Sequence, residues 1–543
     1  MENFLLSYLV FIPLIFALLL IGVPKAYTSY IKWITLLAMV LDLIVTLLVA
    51  TKFDIGQSGI GMQGLQFVEK ADWINLKLGS AGEISIEYFL GVDGLSIAMV
   101  LLSGIVLLIG VLSSWNIEKN VKGYFILYLI LSTSIMGCFV AMDFFLFYLF
   151  FEFMLLPMYF LIGIWGGIRR EYASIKFFLY TLLGSILILV VMIGLNMSVI
   201  KPGGGMVHTF DMTLMMDGTN FIKKSILSLD NANLLWGYSY RTWAFLFILI
   251  GFAIKLPAVP VHTWLPDAHV EAPTPISVVL AGILLKIGGY GIYRIGYSIF
   301  PEGAYTFGWW IGLFGVIAII YGALVAMAQS DLKRLIAYSS VSHMGFVVLG
   351  LAALTVESIS GSIFQMFSHG LISAVLFLVA GVLYDRTKDR MIANYSGLAY
   401  HMPHFTVVVV ISFFAALGLP GFSGFIAEFL VLVGAFDSSV KLSLINTYMP
   451  ILGVIGLILG AAYFLWTLQR MFFGKYWIKN AEWGMTDLTT REYLMFIPLL
   501  GLILLFGIFP GIILDLSNTT ITDFVEFVRH QGKENLQFII NQH

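Results

Sequence analysis

The sequence predicts an all-α protein that crosses a membrane about fourteen times. Apolar residue types make up 60% of the 543 residues and charged types only 11%, against roughly 45–50% and about 25% in soluble domains. The mean hydropathy of +0.96 excludes a water-soluble chain. Apolar stretches of about 20 residues, the length of a spanning helix, recur along the whole sequence.

Fourteen stretches have the length and apolar character of a spanning helix. We expect the first to be retained, because Glu2 stands where a cleaved signal peptide needs a basic residue and no A-x-A site follows. In chain order the predicted spans cover 4–23, 31–51, 91–114, 122–141, 143–166, 172–198, 242–264, 275–299, 305–328, 334–353, 357–383, 403–436, 450–472 and 491–513.

The predicted spans divide into four regions. Two of these regions hold five spans each, spans 4–8 and spans 9–13, and an odd number of spans forces the second set to be inverted in the membrane. Outside the spans, 199–241 forms a long outer loop, and 514–543 forms a polar tail that is predicted to be partly helical. The regions are 1–121, with spans 1–3 and the outer loop 52–90; 122–299, the first repeat; 305–472, the second repeat; and 491–543, the last span and the tail.

The distribution of lysine and arginine predicts the orientation. If the amino terminus lies outside, 16 of the 29 basic residues fall near short inner loops, and 11 fall outside, mostly in long loops or the tail. Basic residues concentrate in short cytoplasmic loops, so both termini are predicted on the outer, periplasmic side of a bacterial-type inner membrane. The other two basic residues, Lys255 and Lys286, have no loop to occupy.

Several classes of function are excluded or disfavoured by composition and motifs. A net charge of −2 with no basic tract gives nucleic-acid binding no basis. The single cysteine, Cys138, cannot form an intrachain disulfide or hold an iron–sulfur cluster. Residues 59–64 match G-x-G-x-x-G, but they lie in an outer loop without a preceding strand. No Walker motif is present, so we expect neither ATPase activity nor a cofactor in this chain.

Four ionisable residues lie deep in predicted spans, where each costs about 2.5–3.5 kcal/mol to insert. Glu152 is in span 5, Lys255 in span 7, Lys286 in span 8 and Glu428 in span 12. Structural roles stay open, because a lysine can reach the interface and a lone glutamate can stay protonated and inert. Two acids and two amines favour pairing instead, with Glu152 and Lys255 as the natural pair. A desolvated lysine can release its proton near neutral pH, as a proton relay requires.

Two histidines extend this set. His343 in span 10 and His369 in span 11 each lie close in sequence to serines, which is typical of a polar path. A single such histidine is more often a satisfied core residue, but two in adjacent spans favour a relay role. After span 7, four further side chains could be read as a metal site, although their spacing matches no common ligand pattern. These are His262, Asp267, His269 and Glu271.

Proline and glycine interrupt two of the predicted spans. Span 7 is broken at 255–257 and span 12 at 418–421, and each is the fourth span of its five-span set. Interrupted helices at matching positions of two halves point to the ion site of a transporter. Irregular backbone at this depth survives only inside protein or around a cavity. The residues alone therefore predict an ion pathway, for protons, through two inverted halves.

Four motifs resemble the antiporter-like subunits of respiratory complex I, and the M-type (chain 4) branch in particular. They are Gly91–Ser96 (GVDGLS), Pro260–Pro273 (PVHTWLPDAHVEAP), Val279–Gly291 (VLAGILLKIGGYG) and Ser330–Phe346 (SDLKRLIAYSSVSHMGF). The resemblance covers nearly the whole chain. One departure is Thr274-Pro275-Ile276-Ser277, where the family more often has Ala-Gly-Ser, and the extra proline should alter the start of span 8.

The resemblance implies a proton-translocating subunit in the membrane arm of NADH:quinone oxidoreductase. It implies that Glu152 and Lys255 form a pair, that Lys286 is a central lysine, and that Glu428 is a terminal acid. His343 or His369 would carry protons between them. The related L- and N-type subunits, which usually carry lysine in place of Glu428, are the expected partners. Quinone reduction, flavin and iron–sulfur clusters are expected in other subunits, with no redox chemistry in this chain.

Two alternatives stay open at this point. The first is a subunit of a multi-subunit Na⁺/H⁺ antiporter, which resembles this chain but usually carries lysine at the position of Glu428. The second is a structural spacer whose buried charges are inert.

Overall fold

The computed structural model describes residues 4–542 except 58, 78, 80, 81, 204 and 481. Helices dominate this part of the chain. The α-helices are α1 (Leu5–Gly22), α2 (Thr28–Lys52), α3 (Ile97–Ser113), α4 (Val121–Val140), α5 (Phe144–Phe153), α6 (Leu155–Trp165), α7 (Arg170–Ser198), α8 (Met212–Met215), α9 (Tyr240–Lys255), α10 (Trp264–Glu271), α11 (Thr274–Val279), α12 (Leu285–Gly291), α13 (Pro301–Met327), α14 (Leu332–Ala353), α15 (Val356–Thr387), α16 (Pro403–Ala416), α17 (Ser423–Asp437), α18 (Tyr448–Phe472), α19 (Thr490–Ile508) and α20 (Gly511–Asn541).

Short elements connect or extend these helices. Three π-helical segments lie at Leu280–Leu284, Ile292–Tyr297 and Ser438–Leu442. The 3₁₀ turns are Gly61–Gly64, Ser114–Asn116, Gly218–Asn220, Ile392–Asn394 and Leu398–Tyr400. The strands are β1 (Gln66–Lys77), β2 (Glu83–Val92), β3 (Val207–Thr209), β4 (Leu234–Leu235), β5 (Tyr238–Ser239), β6 (Tyr395–Ser396) and β7 (Trp477–Ile478).

Twelve helical stretches in the described residues are long and apolar enough to cross a membrane. Each coincides with a predicted span, which confirms the multi-pass helical fold. The third span is shorter than predicted: α3 begins at Ile97 rather than at 91, because Glu83–Val92 is a strand and a hydrogen-bonded turn, Ser96 N to Asp93 O, separates it from the helix.

The two predicted spans that lack such a helix are the two interrupted ones. In span 7, α9 ends at Lys255 because Pro257 has no backbone N–H to continue the helix. The indole of Trp264 donates to the carbonyl of Ile254 at 2.8 Å and so satisfies one of the freed acceptors. In span 12, Gly418 and Gly421 take positive φ angles of 74° and 98° between α16 and α17, a conformation that glycine adopts without strain.

The segment that the sequence presents only as an outer loop, 52–90, contains a β-hairpin. Strands β1 and β2 pair antiparallel, and β3 pairs parallel to β2. Ion pairs tie the hairpin to the loop 199–241: Lys70 contacts Asp211 at 2.6 Å and Glu87 at 3.2 Å, and Lys201 contacts Glu87 at 2.7 Å. We call the end of the bundle that carries this hairpin the hairpin face, and the other end the opposite face.

The polar tail is helical along most of its length, because the 31-residue helix α20 (Gly511–Asn541) covers 514–541. It lies across the hairpin face and contacts the ends of several spans. Gly94 N donates to Thr520 Oγ1 at 3.2 Å, Tyr305 donates to the carbonyl of Arg529 at 3.0 Å, and Arg529 Nε donates to the carbonyl of Leu354 at 2.9 Å. The tail therefore joins the amino-terminal spans to the second set.

The innermost helices are those that carry the candidate site. The apolar stretches of Thr274–Tyr297 and Val356–Thr387 are completely buried inside the protein, and that of Leu332–Ala353 nearly so, whereas only about a third of those of α2 and α18 is buried. Charged side chains within these buried stretches therefore face protein rather than lipid, as ionisable groups in membranes generally do.

Candidate functional site

Lys286 lies at the centre of the bundle, on α12, and its side chain is fully buried. The preceding π-helical segment, Leu280–Leu284, brings the carbonyl oxygen of Ala281 against the ammonium group, which donates to it. The same Nζ lies 2.9 Å from Nδ1 of His369 on α15. π-helical turns are frequent at functional sites, and here one shapes the contact of a buried lysine.

A continuous series of titratable groups runs from Lys286 to Glu428. The rings of His369 and His343 lie with their centroids 5.4 Å apart. Nδ1 of His343 lies 3.0 Å from Oε1 of Glu428. We call Lys286, His369, His343 and Glu428 the central series. The sequence predicts each of these residues as part of a site, and the structure brings all four together.

Glu428 ends the central series beside the interruption of span 12. It is in the second turn of α17, and its side chain is buried. A Cβ atom at Gly418 would lie 2.5 Å from Oε2 of Glu428, so the glycine leaves room for the carboxyl group. The break thus gives the carboxyl group of Glu428 space inside the protein.

Lys255 occupies the corresponding place at the interruption of span 7. It is the last residue of α9, where the helix dipole favours a cation. Its Nζ lies 5.1 Å from the ring centroid of Phe151 and 5.5 Å from that of Phe177. Among the described residues it has no hydrogen-bond partner. The ammonium group is thus held by aromatic faces rather than by an ion pair.

Glu152 lies two residues before Met154, where α5 gives way to α6. Pro157 causes this junction, because it cannot donate to the carbonyl of residue 153. One carboxylate oxygen of Glu152 is buried without a partner in the described part of the chain. Glu152 interacts electrostatically with Lys255, but no ion pair within 4.0 Å joins them in the described residues. The direct pair predicted from the sequence is therefore not formed in this conformation.

A close approach of two helices places Lys255 and Lys286 on neighbouring elements. A Cβ atom at Gly288 would lie 2.5 Å from the backbone nitrogen of Leu256 and 2.7 Å from the carbonyl oxygen of Phe252. The backbone of α12 thus rests directly on the end of α9 that carries Lys255. Only glycine permits this packing.

We expect Gly288→Ala to destabilise the protein by about 1–3 kcal/mol, because the added methyl group meets backbone that cannot retreat. Gly501→Ala in α19 is the matched control, since no atom lies within 4 Å of a Cβ there and alanine is the better helix former. Thermal inactivation of the detergent-solubilised assembly measures the effect. Equal inactivation temperatures for both variants would contradict the close approach.

The four side chains considered as a metal site do not converge. Asp267 pairs with Lys176 at 2.7 Å and with Arg334 at 3.3 Å. Glu271 accepts a hydrogen bond from the backbone of Arg169 at 2.9 Å. In the described residues, no group of three or more His, Cys, Asp or Glu side chains is placed to hold a metal ion.

The two histidines of this region lie against different aromatic rings. His262 lies against the ring of Tyr321, with centroids 5.3 Å apart, whereas His269 stacks on Phe377 at 4.4 Å.

Asp42 and the Arg294–Asp93 ion pair are among the buried charged groups that are not predicted from the sequence. Asp42 on α2 is completely buried, and neither of its carboxylate oxygens has a partner in the described residues. The depth criterion that identified Glu152 would have found Asp42 if applied to span 2. The second group is an ion pair in which Arg294 contacts Asp93 at 2.6 Å. Its two members lie 201 residues apart, so spacing alone could not join them.

Comparison with known proteins assigns the family. A family model described as NADH:quinone oxidoreductase/Mrp antiporter, TM, matches residues 141–456, more than half of the chain. NADH-quinone oxidoreductase subunit M of Rhodobacter capsulatus is 42% identical over 530 residues, covering 97% of this chain and 97% of that protein. The chain belongs to the M-type subunit family of NADH-quinone oxidoreductase.

Solved structures share the fold of this M-type chain. A chain of respiratory complex I from Thermus thermophilus with bound NADH superposes with a TM-score of 0.78 at 28% identity, covering 97% of this chain and 100% of that one. A chain of the Mrp complex from Dietzia sp. superposes with a TM-score of 0.78 at 21% identity, covering 97% and 99%. At this identity the likeness to the Mrp chain shows the fold alone. The 42% identity to an M-type subunit therefore favours the M-type assignment over the antiporter alternative.

Proposed function

We propose that this M-type subunit translocates protons across the membrane, driven by quinone reduction in other subunits of the NADH:quinone oxidoreductase. The observation that carries the proposal is the central series, in which Lys286 contacts His369 and His343 contacts Glu428 within hydrogen-bond distance. Each member can bind and release a proton, as stepwise transfer between neighbours requires.

The proposed transfer begins at Glu152 and Lys255. Lys255 has no hydrogen-bond partner in the described residues, and it interacts electrostatically with Glu152, so its affinity for a proton changes with the distance to the charge of Glu152. When Glu152 moves away, Lys255 releases its proton toward Lys286. The proton then passes through His369 and His343, with water, to Glu428 and the outer side.

The proposed topology has fourteen spans, if the two interrupted helices are counted with the twelve long ones. Spans 4–8 and 9–13 then form two inverted repeats, each with one interrupted helix. We propose that the hairpin face and both termini lie on the periplasmic side of a bacterial-type inner membrane. The concentration of lysine and arginine near the short loops of the opposite face supports this orientation.

The proposed partners are other membrane-arm subunits, especially the related L- and N-type subunits, together with the lipid bilayer. The proposed redox groups, flavin and iron–sulfur clusters, belong to other subunits, and this chain carries out no redox chemistry itself. The large exposed apolar side chains on α2 and α18, Trp33 and Ile458 among them, support burial of both sides of the bundle against lipid or protein.

We expect Lys255→Ala to lower NADH-driven proton uptake into inverted membrane vesicles about tenfold, together with the coupled quinone reduction, because the first proton donor is lost. Lys475→Ala, the same change at an exposed position, serves as the control. Native-gel staining for NADH dehydrogenase activity verifies assembly of both variants. An assembled Lys255→Ala complex with normal proton uptake would favour a spacer with inert charges.

A further inference from the structure

The helix that carries Lys286 leads to a buried ion pair at the hairpin face. Tyr290 and Arg294 follow Lys286 at intervals of four residues, so their side chains lie on successive turns of one side of the helix. Arg294 is in the π-helical segment Ile292–Tyr297, about 12 Å beyond Lys286 at the rise of an α-helix. All three side chains are buried. This side of the helix therefore joins the centre of the bundle to the hairpin face.

Hydrogen bonds connect the polar groups at the outer end of this helix. Nη2 of Arg294 contacts Oδ1 of Asp93 at 2.6 Å, and its Nε donates to the hydroxyl group of Tyr290 at 2.9 Å. That hydroxyl group donates in turn to the carbonyl of Phe139 at 3.3 Å. Asp93 lies in the turn after β2, where its Oδ1 also accepts from the backbone nitrogen of Leu95 at 3.0 Å. The ion pair thus fixes the helix to the end of the hairpin.

The direction of these hydrogen bonds decides whether they can conduct protons. Each member of a conducting chain must accept a proton on one side and donate one on the other. Arg294 donates both toward Asp93 and toward Tyr290. A guanidinium group has no acceptor atom and keeps its protons at all accessible pH values. The chain of hydrogen bonds is therefore closed to proton transfer at Arg294.

Apolar groups pack closely around the same part of the helix. A Cβ atom at Gly291 would collide with the ring of Phe252. The rings of Phe139 and Phe147 lie against Tyr290, with centroids 5.4 Å and 6.5 Å away. Such packing leaves little room for water beside the helix, so a proton crossing here would depend on the polar side chains.

We propose that Arg294, held by Asp93, is a barrier that stops protons of the outer side from returning to Lys286 along this helix. A fixed arginine can exclude protons from a membrane pathway in this way. The barrier leaves Glu428 as the outer end of the central series, so that protons move in one direction. This inference rests on the proposed function, because it requires Lys286 to exchange protons.

Histidine at position 294 tests the barrier, because an imidazole can accept a proton on one side and donate one on the other. In the complete complex reconstituted into liposomes, we expect Arg294→His to dissipate the NADH-driven pH gradient at least about twofold faster than wild type. Quinone reduction should stay within about twofold of wild type, because the central series is intact. A merely structural defect would instead lower quinone reduction and leave the decay of the gradient unchanged.

Two variants control for packing and for position. Arg294→Gln removes the guanidinium group at the same place, but an amide does not exchange protons near neutral pH, so the gradient should decay as in wild type. Arg241→His introduces an imidazole at another buried ion pair of the hairpin face, in which Arg241 contacts Glu302 at 2.7 Å, and should not leak. If Arg294→His fails to assemble, Arg294→Lys replaces it, because an amine can also release its proton.

The outcomes separate this inference from the proposed function. A leak in Arg294→His that is abolished by adding Lys286→Met supports the barrier. A decay as slow as in wild type overturns it, as does a leak that persists with Lys286→Met or a leak of equal size in either control. Normal proton uptake in Lys286→Met alone overturns the proposed function itself.

Discussion

Replacing Lys286 by methionine is expected to lower NADH-driven proton uptake and quinone reduction at least about tenfold. Lys286 contacts His369 at 2.9 Å and is fully buried. Methionine matches the length and apolar stem of lysine without its ammonium group, so packing is retained while the first member of the central series is lost. The measurement is the initial rate of proton uptake by inverted vesicles, normalised to assembled complex.

Lys286→Arg separates charge from proton exchange. A guanidinium group stays protonated at all accessible pH values, so arginine retains a positive charge beside His369 but cannot release a proton. If Lys286 works by transferring protons, both variants lose activity. Recovery of normal proton uptake with arginine would mean that Lys286 acts only through its charge, and it would contradict transfer through this residue.

Glu428→Gln is expected to give the second largest loss, again about tenfold, because the amide retains the shape of the side chain but cannot titrate. Oε1 of Glu428 lies 3.0 Å from Nδ1 of His343, so a proton that reaches the histidines would have no carboxylate to receive it. Glu428→Asp keeps the carboxylate but withdraws it by about one methylene. We expect its rate of proton uptake to lie between those of wild type and Glu428→Gln. Proton uptake and quinone reduction are compared in the same vesicles.

Glu357→Gln is the control for this series, because Glu357 is an exposed carboxylate on α15. It should behave as wild type. If Glu428→Gln, correctly assembled, also pumped at the wild-type rate, the series would not end at Glu428, and the proton would have to leave from His343 by another route.

Much of the site could be predicted because a charge inside lipid is costly wherever it occurs. Glu152, Lys255, Lys286 and Glu428 are conspicuous in the sequence since their neighbours are apolar, and proline or glycine marks the two interruptions. The contacts between these side chains could not be predicted in this way. The pairing of His343 with Glu428 joins positions 85 residues apart, and it depends on how α14 and α17 pack rather than on local sequence.

The features that were predicted wrongly or not predicted from the sequence also have specific physical causes. Glu152 and Lys255 have opposite charges, but the rings of Phe151 and Phe177 occupy the space around the ammonium group. The hairpin at 66–92 contains no apolar run of spanning length, so its sequence resembles that of an outer loop. Asp42 is a single acid in the middle of an otherwise apolar span, so its depth could have been read from the sequence, and the structure adds that it is completely buried.

The position of α20 has a consequence for how the chain is made. This helix follows all the spans in the sequence, yet Gly94, Tyr305 and the carbonyl of Leu354 form hydrogen bonds with it. These contacts can therefore form only after the spans that carry them have been made, so α20 closes the hairpin face late in assembly. A variant without α20 would leave the ends of those spans without these partners.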